Sequence, residues 1–255
     1  MSQCPIVAAK TLVNAQERLH EAHSAMQEGR YEDAVKGYIW FHKHALEEES
    51  GLYGVRLSFA LSHWTELGEK YPPARDALLS IRDETASALL SGADSVDLFH
   101  DVVSINENLK EPGETTALFL KIVERSPEFA ARCSRLAMPA LVFTGHYDMA
   151  RAYLPDPRQA LRRIATGLND DLVNAKSKTE PRFQKLGRWA HLRNFLDDVR
   201  LILSIVKRTD SAQSADSLRD ELLTQVSDGN ARRSLKRYLY DEEAKLVPRP
   251  PRDNH

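Results

Sequence analysis

The sequence has few of the residues and motifs that mark covalent or metal chemistry. Its two cysteines, Cys4 and Cys133, form neither a CxxC pair nor a disulfide framework. It contains no glycine-rich phosphate loop, no HExxH and no GxSxG. The acidic runs at 47–49 and 170–171 consist of adjacent side chains, which diverge on a helix instead of flanking a substrate. We therefore expect a non-catalytic protein that uses no cofactor.

Long hydrophobic runs are also missing. The longest, residues 201–206, is far too short to cross a bilayer. The first ten residues lack the basic start and apolar core of a signal peptide. Apolar residues make up 42% of the chain and charged residues 28%, and there are only 11 glycines and 12 prolines. This composition is typical of a soluble helical protein, and we expect a cytoplasmic one with no membrane partner.

Charge is nearly balanced overall but unevenly distributed. The formal net charge is −2, so the whole chain lacks the basic excess of many nucleic-acid-binding proteins. Residues 158–255 carry 20 Lys+Arg and 14 Asp+Glu, whereas residues 1–157 carry 15 and 23. Such asymmetry favours either steering of a charged partner or docking of the two parts on each other.

One short pattern occurs twice, and it predicts a local structure. Gly29, Tyr31 and Ala34 form a Gly-x-Tyr-x-x-Ala signature that returns at residues 145–150. Each glycine fits the end of a helix, where the chain often needs a positive φ. The tyrosine presents a large ring to a facing helix, and the alanine lets two helices approach closely. The signature therefore predicts a tight helical hairpin, which needs stacked neighbours to bury its apolar faces.

Amphipathic stretches arrange residues 14–157 into about four such hairpins. The small residues Ala34, Ala74, Thr115 and Ala150 occupy equivalent second-helix positions, spaced 40, 41 and 35 apart. Proline and glycine punctuate the hairpins, as in the Ser126-Pro127 stop.

At these positions the chain resembles the tetratricopeptide repeat (TPR) family of helix-turn-helix solenoids. The resemblance rests on Gly29/Tyr31/Ala34/Tyr38 and Gly145/Tyr147/Ala150/Leu154, and more loosely on Thr115/Phe119/Ile122/Pro127. It implies an all-α fold containing a TPR-like, right-handed helical-hairpin solenoid over residues 14–157.

The remaining residues have other patterns. Residues 158–246 read as four further amphipathic helices, which we expect to form a C-terminal helical bundle. Such a bundle is suited to cap the open end of the solenoid, although an independent domain is an alternative. The segment 1–13 precedes the repeats, and the Pro/Arg-rich tail 247–255 is expected to be extended and disordered.

The resemblance also implies a function, the binding of a protein or peptide partner by a scaffold or adaptor. In this family the first helices of the hairpins line a concave groove. Side chains on such a groove hydrogen-bond an extended peptide or contact its acidic groups. The groove positions implied for this chain are His23, His63, His100, Asn106, Arg132 and Arg135. Ordinary solvated helix faces are the competing interpretation.

Two other functions stay open. A nucleic-acid-associated protein is the first, using the basic cluster Arg232, Arg233, Lys236 and Arg237, whose field Asp241 and its acidic neighbours partly cancel. A metal-dependent enzyme is the second, because an antiparallel hairpin brings His20 and His23 to the same end as His42 and His44. Their spacing matches no ligand motif, and no metal site is assigned.

Overall fold

The chain is built from α-helices. The computed structural model describes residues 14–177, 180–241 and 244, and these contain no β-strand. The predicted all-α class is confirmed. The N-terminal segment 1–13 and the tail 247–255 lie outside the described residues. Contacts between Cα atoms divide the chain into a first unit that ends at Ala137 and a second unit that begins at Met138.

The first unit consists mainly of helical hairpins. Each hairpin pairs a first helix with a second, and helices of consecutive hairpins also touch: α2 with α5, α4 with α6, and α5 with α7. The helices are α1 (Ala15–Gln27), α2 (Tyr31–Glu48), α3 (Tyr53–Val55), α4 (Leu61–Lys70), α5 (Pro72–Leu90), α6 (Val96–Leu109), α7 (Pro112–Arg125) and the start of α8 (Pro127–Phe143). A π-helical turn, Arg56–Ala60, joins α3 to α4, so the first helix of the second hairpin runs from Tyr53 to Lys70.

The signature glycine ends α1 as predicted. Gly29 has φ +79°, and the backbone N–H of Arg30 donates to the carbonyl of Ala25 at 2.9 Å, while that of Gly29 donates to Met26. This six-to-one pairing is a Schellman cap, which only a residue in the left-handed region can form. The equivalent Gly145 has φ +81° and the same pairing. The predicted turn geometry is confirmed at both copies.

Replacing Gly29 with alanine should therefore destabilise the first unit by about 1 kcal/mol, because a Cβ is disfavoured at positive φ even where space is open. Gly113 supplies the matched control, since it lies in α7 with open space around it and no positive φ. Gly113→Ala should stabilise the unit by a few tenths of a kcal/mol. Urea denaturation checks both; two changes of the same sign would contradict the cap argument.

The core of the first unit forms where helices of consecutive hairpins meet. Trp64 is 1% exposed, and its indole N–H donates to the carbonyl of Ala74 at 2.8 Å. The ring of Tyr38 lies 6.1 Å from that of Trp64, and Ala34 is fully buried beside them. Gly37 approaches Ala22 so closely that a Cβ there would lie 2.6 Å from the alanine methyl. Small residues thus set the close spacing of α1 and α2.

The second unit surrounds one long helix. Helix α11 contacts α9, α10, α12 and α13 and buries apolar side chains mainly in its C-terminal half. Besides the end of α8, the helices are α9 (Tyr147–Ala152), α10 (Pro157–Lys176), α11 (Pro181–Thr209), α12 (Ala212–Gln225) and α13 (Gly229–Tyr240). Residues 138–157, which the sequence assigns to the repeats, pack within this unit, since α9 contacts α11 and Arg151 pairs with Asp210 at 3.0 Å.

Arginine and lysine side chains tie the helices of the second unit together. Asp228 caps the N-terminus of α13 and accepts hydrogen bonds from Lys176 of α10 and Arg188 of α11. Glu221 of α12 pairs with Arg158 and Arg162 of α10. Several basic side chains of this part of the chain therefore contact acidic residues of the same unit.

Candidate functional site

Two predicted groove residues meet on the first helices. The imidazole rings of His23 on α1 and His63 on α4 stack with centroids 4.1 Å apart and planes 26° from parallel. The Nδ1 atom of each ring is buried and has no hydrogen-bond partner among the described residues. Gln27 lies 2.9 Å from Nε2 of His23. The stack connects the first hairpin to the second through side chains that also reach the surface.

The third predicted histidine, His100 on α6, joins the second hairpin to the third. Its Nδ1 atom lies 2.9 Å from the hydroxyl of Tyr53, which also donates to Asp97 at 3.4 Å. Burial and the nearby carboxylates of Asp97 and Asp101 raise the pKa of Tyr53. Tyr53 was not among the predicted site residues, although it begins the first helix of its hairpin.

Glu107 lies about two helical turns beyond His100 on α6 and is the last residue of the candidate site on the first helices. The residue is exposed, and partial desolvation by surrounding protein atoms raises the pKa of its carboxyl more than the charge of His100 lowers it. No lysine or arginine of the described residues forms an ion pair with it. We call the five residues His23, Tyr53, His63, His100 and Glu107 the first-helix surface.

Asn106 does not belong to that surface. Its side chain is 0% exposed and donates to the hydroxyl of Thr115 at 3.0 Å, which links α6 to α7 inside the third hairpin. The expectation that Asn106 lines a groove is therefore corrected. An amide can satisfy one of its groups inside a hairpin, and here that pairing holds it in the core.

The two predicted arginines of α8 are exposed. Arg132 donates to the backbone carbonyl of Asp94 at 3.3 Å, and its guanidinium lies 5.6 Å from the ring centre of Phe129. Arg135 lies one turn further along the same helix. Arg132 is thus partly used in packing α8 against the loop before α6.

Beneath the first-helix surface lies a buried charged cluster that the sequence analysis did not predict. Arg56, in the π-helical turn, makes a two-pronged contact with the carboxylate of Asp101 on α6, with Nη1 to Oδ2 at 3.0 Å. The same Nη1 donates to the carbonyl of His42 on α2 and lies 3.3 Å from its Nε2. Burial, with the positive charge of Arg56, lowers the pKa of His42 to about 3. All three hairpins meet at this cluster.

The alternative nucleic-acid site is largely occupied by internal contacts. Arg232 donates to the backbone carbonyl of Val226 through Nε and Nη2, at 2.9 and 2.7 Å. Arg233 bonds Asn230, and the ammonium of Lys236 lies 5.7 Å from the ring centre of Tyr240. Arg237 is exposed on the same helix. Such contacts compete with any phosphate for most of the cluster.

The four histidines considered as metal ligands have separate environments. His20 is exposed, His23 stacks on His63, His42 contacts Arg56, and His44 lies 3.1 Å from Glu47. No group of three His, Cys, Asp or Glu side chains in the described part of the chain is arranged to hold a metal ion. Cys133 is buried, which raises the pKa of its thiol to about 11.

A groove of about 610 Å³ lies elsewhere, along the seam between α1 and α2. Ala22 and Gly37 line it together with Arg18, Lys36 and Trp40, and the guanidinium of Arg18 lies 4.0 Å from the ring centre of Trp40. None of the first-helix surface residues lines this groove. It reflects the small residues of the hairpin seam.

Comparisons with known proteins add no relative. No protein-family model matches the chain, and neither a curated protein nor a solved structure matches it. Within the residues that the structure describes, no helix combines the length and apolar character needed to cross a membrane.

Proposed function

We propose that the first unit is a non-catalytic scaffold that binds a peptide segment of a protein partner on the first-helix surface. The observation that carries the proposal is the lateral joining of three successive first helices. His23 meets His63, and Tyr53 meets His100, so the strip consists of one side-chain contact between the first and second hairpins and another between the second and third. A TPR-like arrangement of these hairpins, also part of the proposal, would present this strip as the groove.

The chemistry of the strip favours a peptide with a basic side chain. The carboxyl of the exposed Glu107 is only partly desolvated and has no ion-pair partner among the described residues, so a ligand cation would supply that partner. Asp97 adds a second carboxylate beside Tyr53 and His100. The neighbouring imidazoles and phenol offer hydrogen bonds to an extended backbone. We therefore expect lysine or arginine to be enriched in bound sequences.

Selection from a phage-displayed library of random 12-residue peptides tests this proposal with the full-length chain. We expect recovered peptides to contain Lys or Arg. We also expect Glu107→Gln to weaken the best of them by about tenfold or more, as loss of a charge-assisted hydrogen bond predicts. The affinity is measured by titration calorimetry at pH 7.5.

Glu114→Gln is the matched control, because it makes the same chemical change at an exposed position of the second helix α7. It should leave the affinity within twofold of the wild-type value. Recovery of no binding peptides, or equal weakening by both substitutions, would overturn the assignment of the first-helix surface. Thermal midpoints of both variants should stay close to wild type, since both carboxylates are exposed.

A further inference from the structure

The stacked pair His23 and His63 has an arrangement that only uncharged rings tolerate well. The centroids are 4.1 Å apart, and both Nδ1 atoms are buried without a partner in the described part of the chain. The amide nitrogen of Gln27 donates to Nε2 of His23, so the neutral ring carries its proton on Nδ1 and a second proton on Nε2 would face the Gln27 N–H. On His63, a proton on Nδ1 would be a buried N–H with no acceptor in the described part of the chain. Protonating both rings would place two positive charges in van der Waals contact.

The groups around the pair do not cancel this repulsion. Glu66, one turn from His63 on α4, is the carboxylate that acts on it, and it already binds Lys70 at 2.8 Å. Tyr31 on α2 and Glu69 on α4 act on Lys70. Burial, and secondarily the charge of His23, lower the pKa of His63 despite Glu66.

We propose that His23 and His63 form a proton-operated latch, which holds α1 against α4 in neutral solution and releases it in mildly acidic solution. Release would separate the first two first helices and disrupt the first-helix surface, so that a bound peptide dissociates on acidification. The control of binding rests on the proposed function, whereas the latch itself does not.

Protonation of the His23 and His63 rings favours the separation of α1 from α4. The first proton places one cation against a neutral ring, and the second adds a like charge at the same spacing. On His63, the new N–H at Nδ1 finds an acceptor only if water enters between α1 and α4. When α1 and α4 separate, water reaches the rings and the distance between the two charges increases. Protonation therefore favours the open state.

An NMR titration of the histidine ring carbons from pH 8 to pH 5, on the full chain, tests the coupling without any ligand. In the wild type we expect the His63 midpoint to lie below the ordinary histidine value, because burial and the charge of His23 lower its pKa. His23→Gln removes one charge and should raise the His63 midpoint by about 0.7 pH unit or more, the effect of a unit charge at about 4 Å in water. An unshifted His63 midpoint in that variant would overturn the latch.

Glu66→Gln provides a second test in which the stack is left intact. Glu66 is exposed, and its negative charge raises the pKa of His63. Removing that charge should move the His63 midpoint to lower pH. A rise, or no movement, would show that the ring does not sense the charges assigned to it.

Hydrogen exchange then separates opening from simple titration. Corrected for intrinsic rates, the protection of residues 15–27 should fall at least tenfold more between pH 7.5 and 5.5 in the wild type than in His23→Gln/His63→Gln. Equal losses in both proteins would overturn the latch. Failure of the peptide selection, by contrast, would count against the proposed function and leave these readouts unaffected.

Discussion

Replacing Asp101 with alanine is expected to lower the free energy of unfolding of the first unit by about 3–5 kcal/mol. The carboxylate is the only acidic partner of Arg56 among the described residues, and the side chains are 11% and 6% exposed. Without Asp101, a guanidinium stays buried with only carbonyl and imidazole acceptors. That uncompensated charge, more than the lost attraction, sets the size of the effect.

Urea denaturation followed by tryptophan fluorescence measures this change. A Trp189→Phe background leaves Trp40 and Trp64, both in the first unit, as the reporters. The control is Arg56→Met/Asp101→Leu, which removes both charges and should recover most of the lost stability. A loss below about 1 kcal/mol for Asp101→Ala would mean that Arg56 reaches solvent, contrary to its burial.

The position of Arg56 suggests why a charged pair is retained there. The residue lies in a π-helical turn, where one extra residue shifts the register of side chains between Tyr53 and Lys70. Arg56 then reaches α6 through Asp101 and α2 through the carbonyl of His42. Because these contacts are directional, they specify how the three hairpins are aligned in a way that apolar packing alone does not.

Local features of the fold were predictable because they depend on neighbours in sequence. The positive φ of Gly29 and Gly145 follows from the need for a residue without a Cβ at a Schellman cap. The burial of Ala34 and Ala150 follows from their place one turn after the tyrosine. The break between α6 and α7 near Pro112 likewise has a local cause.

The buried cluster was not predictable for the opposite reason. Arg56 and Asp101 are 45 residues apart, and each stands in an amphipathic helix where a charged residue normally indicates a solvated face. The π-helical turn rotates Arg56 inward, and no local pattern signals that turn. His42 was considered only as a metal ligand, since its burial depends on the same tertiary alignment.

In the candidate site, too, the local features were predictable from the sequence and the tertiary contacts were not. Placement of His23, His63 and His100 on first helices could be inferred from the hairpin pattern, but the contact of His23 with His63 depends on the relative register of two hairpins. Asn106 differs from them because Thr115, on the partner helix, offers a buried acceptor. Arg232 is held by the backbone carbonyl of Val226, just before α13, which accepts a hydrogen bond from its guanidinium. Such backbone acceptors leave no trace in the sequence.

Acidification should destabilise the first unit through His42, and the sign follows from its depressed pKa. The folded protein keeps His42 neutral down to about pH 3, whereas the ordinary value in an unfolded chain is 6.5. Below pH 6.5 the unfolded state therefore binds a proton that the folded state excludes. The stabilising contribution is complete above that pH and is lost as the pH falls toward 3. Between pH 7 and pH 5 the loss amounts to about 2 kcal/mol.

His42→Gln isolates this contribution, because glutamine does not titrate and keeps an acceptor for Arg56 at a similar distance. In the Trp189→Phe background, urea denaturation at pH 7 and pH 5 should show a loss about 2 kcal/mol smaller for His42→Gln than for its parent. The latch histidines are present in both proteins, so their effect cancels in the difference. Equal losses would mean that His42 takes up a proton in the folded state, which its contact with Arg56 and its burial oppose.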